Sequence, residues 1–258
     1  MGVILIGILI LAWFLVLRPL DTLTDAGTVE IIVFLPFLLI GYLMESQYVH
    51  YFSIIKYRYS ILNEYLEAVV CENKCDNGWV QDEKDENPCE KIPQYILKSI
   101  ETIADSILVI ERVANLHVKL SDAATLVNTS FAVQLLFRIT IAFINIVTAL
   151  YMVGVNFSSP DAVEALKTNV NYVFTAWAGS SAIELLVVVW VTSATCEEAN
   201  KCPQLMHKIR NATKNAKLQD VIEMYSLQMY HNRLQFYICG LFPLDFTLLH
   251  TVCTTICL

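Results

Sequence analysis

Glycine, proline and charged residues are all scarce in this sequence. Its 258 residues include only 8 glycines and 7 prolines, and Asp, Glu, Lys and Arg together make up 16% of the chain, against 56% hydrophobic residues. Average soluble domains contain about 25% charged residues. A single soluble core could not cover so much apolar surface, and the mean hydropathy of +0.53 therefore indicates a protein of the lipid bilayer.

These shortages also exclude several classes of function. The sequence has no glycine cluster of the kind that wraps a phosphate group. Its 17 Lys and Arg residues form no dense block in a chain of net charge -8, so we expect no nucleic-acid partner. The histidines and cysteines lack the spacing of metal ligands or of a catalytic nucleophile, and Cys71, Cys75 and Cys89 have no fourth zinc ligand nearby. We therefore predict no enzyme activity, no cofactor and no metal site.

Five apolar stretches are candidates for crossing a membrane. A helix needs about 20 apolar residues to cross the hydrocarbon core. The stretches cover residues 2–17, 31–52, 135–157, 170–194 and 236–258. We expect the second stretch to end in the interfacial aromatics Tyr48, Tyr51 and Phe52. The predicted fold class is all-α, a multi-pass transmembrane helix bundle.

The basic residues are distributed unevenly between the connecting segments. Residues 45–134 contain eight Lys and Arg and residues 195–235 contain six, whereas residues 18–28 and 158–169 contain one each. Basic loops stay on the cytoplasmic side of a membrane. We therefore predict that loops 53–134 and 195–235 are cytoplasmic, with the N-terminus cytoplasmic and the C-terminus extracellular. Cysteines in these loops would be reduced thiols.

Both predicted cytoplasmic loops contain apolar residues at three- and four-residue steps, as on one face of an amphipathic helix. The first stripe comprises Ile96, Ile100, Ile103, Ile107, Ile110 and Ala114, and the second comprises Leu218, Ile222, Tyr225, Met229 and Phe236. We interpret both stripes as packing faces rather than ligand sites, and we expect the first helix to continue into the third span. The acidic segment 72–90 contains Gly78 and Pro88 and is predicted to be a loop.

Two stretches of the sequence resemble a known family. Residues 116–136 read LHVKLSDAATLVNTSFAVQLL, and residues 199–249 contain the motifs His231-Asn232-Arg233-Leu234 and Gly240-Leu-Phe-Pro-Leu-Asp245. These stretches resemble the insect gustatory receptors, the seven-helix relatives of insect odorant receptors, and the resemblance covers essentially the whole chain. It implies a plasma-membrane receptor with its N-terminus inside and its C-terminus outside, in agreement with the charges of the loops.

The resemblance also implies a function. Members of this family are tetrameric ligand-gated cation channels, so the chain is expected to detect a small tastant, either a sugar or a bitter compound. It is expected to assemble with itself or with other gustatory receptor subunits. The alternatives are a non-conducting subunit that modulates intact receptors, and a metabotropic seven-helix receptor or a transporter.

The family plan implies how the chain is organised. It would hold helices three to seven, with long helices extended into a cytoplasmic anchor domain where subunits meet and with the last helix lining the pore. The first two helices are missing from this plan, as is the ending of the pore helix, a Thr-Tyr followed by five apolar residues and Gln-Phe. The chain is therefore expected to be truncated at both ends.

Among the ionisable residues of the predicted spans, we single out Arg138, Glu184, Asp245 and His250, which need partners or water. Arg138 and Glu184 lie at comparable depths on adjacent spans, so we predict an interhelical ion pair with either a structural or a gating role. Asp245 follows Pro243 at the expected entrance of the last helix. There it either caps the helix or forms a ring of negative charge around a four-fold pore. His250 lies further along the same helix.

Aromatic, amide and hydroxyl side chains in the outer parts of the spans are candidates for tastant contacts. Aromatic faces can stack on a sugar or a planar alkaloid while polar groups fix its orientation. The candidates are Trp13, Phe34, Asn145, Thr148, Tyr151, Asn171, Thr175 and Trp177. The alternative is that Trp and Tyr anchor the spans at the membrane interface and that Asn and Thr bridge helices.

Overall fold

A computed structural model describes most of the chain, and helices dominate it. The backbone is described over residues 25–76, 103–158 and 164–257, and the side chains over residues 40–70, 106–155, 175–176, 178–251 and 254. The helices are α1 (Asp25–Asp76), α2 (Ile103–Ser158), α3 (Glu164–Ala212), α4 (Ala216–His231) and α5 (Phe246–Cys257). Two short strands, β1 (Tyr237–Ile238) and β2 (Phe242–Pro243), pair between α4 and α5. The all-α prediction is confirmed, while the first predicted span, residues 2–17, lies outside the described residues.

Helices α1, α2 and α3 are much longer than a membrane crossing requires. Because α2 contains no proline and its one glycine, Gly154, lies near its end, no residue type interrupts its backbone hydrogen bonds over 56 residues. As predicted, the helix that carries the described part of the first stripe, from Ile103, continues without a break into the third span. Where the structure describes them, the segments predicted as loops are largely helical, since α1 continues to Asp76, inside the acidic segment, and α3 continues to Ala212. Among the described residues, α2 and α3 are long and apolar enough to cross a membrane.

The helix of the last predicted span begins later than its apolar pattern suggests. The span predicted over residues 236–258 is wrong at its start, because α5 begins at Phe246 and an antiparallel hairpin precedes it. In the hairpin turn, Cys239 and Gly240 have positive φ angles of 49° and 71°, and the amide of Leu241 donates to the carbonyl of Ile238 at 2.9 Å. Such a turn matches the twist of paired strands, and apolar residues alone do not distinguish it from the start of a helix.

The chain forms two compact units. The first unit comprises residues 1–51, 128–191 and 237–258, and the second unit comprises residues 52–127 and 192–236. Helices α1, α2 and α3 contribute residues to both units. The hairpin and α5 belong to the first unit, and α4 belongs to the second.

An apolar core built from four helices holds the second unit together. Its buried members are Leu62, Leu66 and Val70 of α1, Ile110, Val113 and Ala114 of α2, Cys202, Leu205, Met206 and Ile209 of α3, and Leu218, Ile222 and Met229 of α4. Residues of both predicted stripes are in this core, so their interpretation as packing faces is confirmed where the structure describes them. The exceptions are Ile96 and Ile100, which lie outside the described residues, Ile103, whose side chain lies outside them, and Phe236.

Phe236 does not belong to the amphipathic helix that its spacing suggests. Helix α4 ends at His231, and the ring of Phe236 packs edge-on against Phe52 with 4.9 Å between the ring centroids. Helix α4 begins after Asn215, whose side-chain oxygen accepts hydrogen bonds from the amides of Lys217 and Leu218 at 3.0 and 3.3 Å. This is a standard N-cap, and it explains why α3 and α4 are separate helices.

Two of the three aromatics predicted at the membrane interface are buried instead. Tyr48 and Phe52 are both fully buried, whereas Tyr51 is half exposed. Tyr48 packs edge-on against Phe131 of α2 with 5.8 Å between the ring centroids. The prediction was wrong for Tyr48 and Phe52 because an aromatic near the end of an apolar stretch looks the same in sequence whether it anchors or packs.

The part of α2 in the first unit presents an apolar outer face. Its exposed side chains are Val133, Phe137, Ile141, Ile144, Val147, Leu150 and Tyr151. On a soluble protein a face of this kind would mark an interface or an aggregation site. On a membrane helix it is the surface that contacts lipid.

We predict that shortening a core side chain of α4 destabilises the second unit. Ile222 is fully buried, so Ile222→Ala should lower the free energy of unfolding by about 2–5 kcal/mol. Thermal unfolding of the purified chain in detergent measures this loss. Met224→Ala is the matched control, because Met224 lies on the same helix but is 56% exposed, and it should change stability by less than about 0.5 kcal/mol. Equal losses for the two variants would contradict the described packing.

Candidate functional site

In the first unit, Arg138 lies between two carboxylates. Its Nε donates to Oε1 of Glu45 at 2.6 Å, and its Nη2 donates to Oε2 of Glu45 at 3.1 Å. The same Nη2 donates to Oε2 of Glu184 at 2.5 Å. The side chains of Arg138, Glu45 and Glu184 are only 20%, 9% and 13% exposed. We call these three residues the ionic triad, and they join α2, α1 and α3.

Neighbouring residues on α1 make room for the guanidinium and add polar contacts. A Cβ atom at Gly41 would come within 3.3 Å of Nη1 of Arg138, so a larger residue there would push the side chain aside. The ring centroid of Tyr42 lies 5.3 Å from Cζ of Arg138, within the range of a cation–π contact. The guanidinium therefore has partners on several sides.

The cleft beside the triad is small and mostly apolar. Apart from Glu45, Arg138 and Glu184, its lining residues are Leu135, Ile139, Ala142, Ser181, Leu185 and Val188. Its empty volume of about 270 Å³ includes open solvent at its mouth, so the enclosed space is smaller still and lies below the roughly 300–1,000 Å³ of pockets for small molecules. The cleft is therefore small for a tastant.

The predicted ion pair between Arg138 and Glu184 is confirmed, but the prediction missed Glu45. In the sequence Glu45 lies near the end of the second predicted span, among its terminal aromatics, and it was not one of the ionisable residues singled out. The signal that could have identified it is its spacing from Gly41. Residues four apart lie on the same face of a helix, so a glycine and a carboxylate at this spacing can receive a large side chain from a neighbouring helix.

The structure describes four of the eight candidate ligand residues in full. Asn145 of α2 donates from Nδ2 to Oγ of Ser181 of α3 at 3.2 Å, so it bridges two helices, as the alternative interpretation predicted. Thr148 is half-buried, while Tyr151 and Thr175 are exposed. Trp13 lies outside the described residues, and so do the side chains of Phe34, Asn171 and Trp177. The described structure therefore does not gather these candidates into one pocket.

Asp245 immediately precedes α5 and has the contacts of a helix cap. Its Oδ1 accepts hydrogen bonds from the backbone amide of Thr247 at 2.9 Å and from the hydroxyl of the same residue at 2.5 Å. Such a carboxylate satisfies an otherwise unpaired amide and lies at the positive end of the helix dipole. The cap interpretation agrees with this geometry, and the charge ring stays a prediction because it needs further copies of the chain. His250 is exposed on α5.

We predict that the ionic triad tolerates complete neutralisation better than loss of its cation. Arg138→Met leaves Glu45 and Glu184 buried without their guanidinium and should cost about 3–5 kcal/mol. Replacing all three residues, in R138M/E45Q/E184Q, should recover most of this loss because no buried charge remains. Thermal unfolding in detergent and the amount of protein at the cell surface measure both effects.

The control for this prediction is a pair that lies nearer the surface. Lys201→Met removes an ion pair with Glu198 in which the lysine side chain is 43% exposed, and surface pairs contribute only about 0–1 kcal/mol. If R138M were as mild as K201M, or if the triple variant were as unstable as R138M, the triad would not be an important buried ion group.

Comparison with known proteins identifies the family. The family model for the 7tm chemosensory receptors matches residues 1–258 of the chain. The chain is 27% identical over 146 residues to "Putative gustatory receptor 28b" of Drosophila melanogaster, covering 56% of this chain and 31% of that protein. It is 28% identical over 144 residues to "Putative gustatory receptor 28a" of the same organism, covering 55% and 32%. The chain thus covers about a third of the length of these curated relatives.

These matches agree with the long helices and the apolar outer face of α2. They describe a membrane protein of a receptor class rather than an enzyme class, for which small molecules are the expected ligands. The predicted resemblance to insect gustatory receptors is confirmed, and the chain belongs to the 7tm chemosensory receptor family.

Proposed function

We propose that this chain is a gustatory receptor subunit that forms a ligand-gated cation channel in the plasma membrane. A small tastant, a sugar or a bitter compound, binds in the outer half of the helix bundle and favours the open state. The names of the two relatives support the gustatory role. The basic residues of the segments 53–134 and 195–235 support a cytoplasmic N-terminus and an extracellular C-terminus.

The observation that carries the channel proposal is a polar stripe on α5. Thr247, His250, Thr251 and Thr254 are all exposed, and their spacing of three and four residues places them on one face of the helix. The hydroxyl of Thr251 bonds to the carbonyl of Thr247 at 2.9 Å, and that of Thr254 bonds to the carbonyl of His250 at 3.0 Å. In a bilayer, an exposed stripe of hydroxyl and imidazole groups is more stable against water or a polar partner than against lipid, and the imidazole of His250 most needs such a partner. A water-filled pore lined by several copies of α5 meets this requirement.

The position of Asp245 is compatible with a role at the pore as well as with its role as a helix cap. The carboxylate lies one residue before α5 and is only partly buried. Four copies around a common axis would place four carboxylates at one end of the pore, where they would attract cations and repel anions. Capping and ion selection are compatible because one oxygen, Oδ1, makes both recorded contacts with Thr247.

Ligand binding can open such a channel only through a difference in affinity between its two states. The exposed candidates Tyr151 on α2 and Thr175 on α3, with the half-buried Thr148, are the described residues that we assign to tastant contact. Aromatic stacking and a few hydroxyl groups suit a sugar or a planar alkaloid. No chemical step is needed, because the free energy of binding does the work of opening.

Patch-clamp recording of the complete receptor tests the proposal. Cells that express it should give a cation current within milliseconds of applying an active sugar or bitter compound, and the current should persist when GDP-β-S blocks G-protein signalling inside the cell. A current that disappears under this block would favour a metabotropic receptor. Assembly at the cell surface with no current to a broad tastant panel would favour a non-conducting subunit.

We predict that Asp245→Asn separates the two roles of Asp245. Asparagine caps a helix as well as aspartate does, so thermal stability should change little, whereas the preference for cations over anions and the single-channel conductance should both fall. Asp245→Ala is the comparison variant, because it also removes the cap and should cost about 0.5–2 kcal/mol of stability. Unchanged permeation in D245N would leave Asp245 with the cap alone.

A further inference from the structure

Helix α3 contains a proline deep inside it. Pro203 lies within Glu164–Ala212, and proline has no backbone N–H to donate to the carbonyl four residues earlier. That carbonyl belongs to Ala199, which is fully buried. A buried carbonyl without a donor is costly, so another group must supply the hydrogen bond that Pro203 cannot.

His117 of α2 supplies this bond. Its Nε2 lies 3.1 Å from the carbonyl oxygen of Ala199. A carbonyl oxygen only accepts hydrogen bonds, so Nε2 must carry the hydrogen, which fixes the tautomer of the neutral ring. The side chain of His117 is buried, and burial lowers the pKa of its imidazole below the usual value. The neutral form with hydrogen on Nε2 is therefore the form that makes the contact near neutral pH.

Tyr59 of α1 holds the His117 ring in place. The two rings pack edge-on with 5.4 Å between their centroids, and the Tyr59 hydroxyl lies 2.8 Å from Oγ of Ser121, one turn further along α2. Burial raises the pKa of Tyr59 to about 12, so its hydroxyl stays protonated. The imidazole is thus kept in a fixed orientation toward α3.

The residues on either side of Ala199 also form hydrogen bonds with other elements. Nδ2 of Asn63 in α1 donates to the carbonyl of Glu198 at 2.8 Å. Asn200 exchanges two hydrogen bonds with the backbone of Leu234, both of 3.3 Å, and Leu234 lies in the segment that leads to the hairpin and α5. Three consecutive residues of α3 therefore bind three different parts of the second unit, just before Pro203.

We propose that Pro203 is a hinge in α3 and that His117 is the positioning residue that keeps this hinge straight. His117 does so by replacing the helical hydrogen bond that the proline removes. When His117 releases Ala199, α3 loses the side-chain hydrogen bond at the carbonyl that Pro203 leaves without its helical donor. The helix can then bend at this point, and Asn200 transmits the bend to Leu234. This role does not depend on whether the chain conducts ions.

A double-mutant cycle on the full chain tests the proposal. The variants are His117→Leu, Pro203→Ala and the two combined, and the measurement is Tm in detergent. H117L should lower Tm by about 2–6 °C, because it leaves a buried carbonyl unpaired. In the P203A background the same change should lower Tm by less than half as much, because the alanine amide can donate to Ala199.

Asn63→Leu is the matched control. Asn63 binds the neighbouring carbonyl of Glu198, whose helical donor would be the amide of Cys202 rather than of Pro203. The loss caused by N63L should therefore be equal in the two backgrounds. If H117L also costs the same in both backgrounds, His117 acts through packing alone and the proposal is wrong. If H117L yields no folded protein, a monodisperse peak on size-exclusion chromatography must reappear in H117L/P203A, and its absence would equally overturn the proposal.

Discussion

The guanidinium of Arg138 sets the register of three helices in the first unit. Hydrophobic contacts and dispersion have little directionality, and an apolar helix can contact lipid in any rotation, so packing alone leaves α1, α2 and α3 free to slide or turn. A charged group among apolar helices costs several kcal/mol unless it is paired. Contact of Arg138 with both Glu45 and Glu184, beside Gly41, restricts the rotation and the height of α2. Because the buried ion is stable only when it is paired, it favours one alignment of α1, α2 and α3.

In the second unit, neutral hydrogen-bonding groups rather than an ion fix how the helices are aligned. Its core from α1, α2, α3 and α4 supplies stability, but branched and unbranched aliphatic residues tolerate alternative packing. Directional contacts converge on residues 198–200 of α3, which form hydrogen bonds with Asn63, His117 and the backbone of Leu234. Buried hydrogen bonds of this kind favour one arrangement of the helices over others. Pro203 makes this network necessary, because it leaves a carbonyl of α3 dependent on another helix.

Composition and periodicity predicted the helical membrane fold and the resemblance to a known receptor family, because both depend on features that repeat along the chain. The two amphipathic stripes were recognisable for the same reason, and Arg138 and Glu184 were recognisable because a charge is rare in an apolar stretch. Contacts that depend on one distant pair were not predictable. Glu45 was not recognised as a partner of Arg138, Tyr48 and Phe52 looked like interfacial anchors, and no local pattern links His117 to a carbonyl 82 residues away. The start of α5 was misplaced because the hairpin residues before it are as apolar as a helix.

The exposed faces of α2 and α5 place opposite demands on their surroundings. The α2 face from Val133 to Tyr151 needs an apolar environment, whereas the α5 stripe from Thr247 to Thr254 needs water or a polar partner. The threonine hydroxyls bond to carbonyls of their own helix, which lowers the cost of an apolar neighbour but leaves His250 still in need of a polar one. A single helix cannot enclose water within a bilayer, and a closed ring of identical helices can. The proposed assembly would meet this requirement of α5, while the ionic triad and the hinge at Pro203 concern how each copy keeps its own shape.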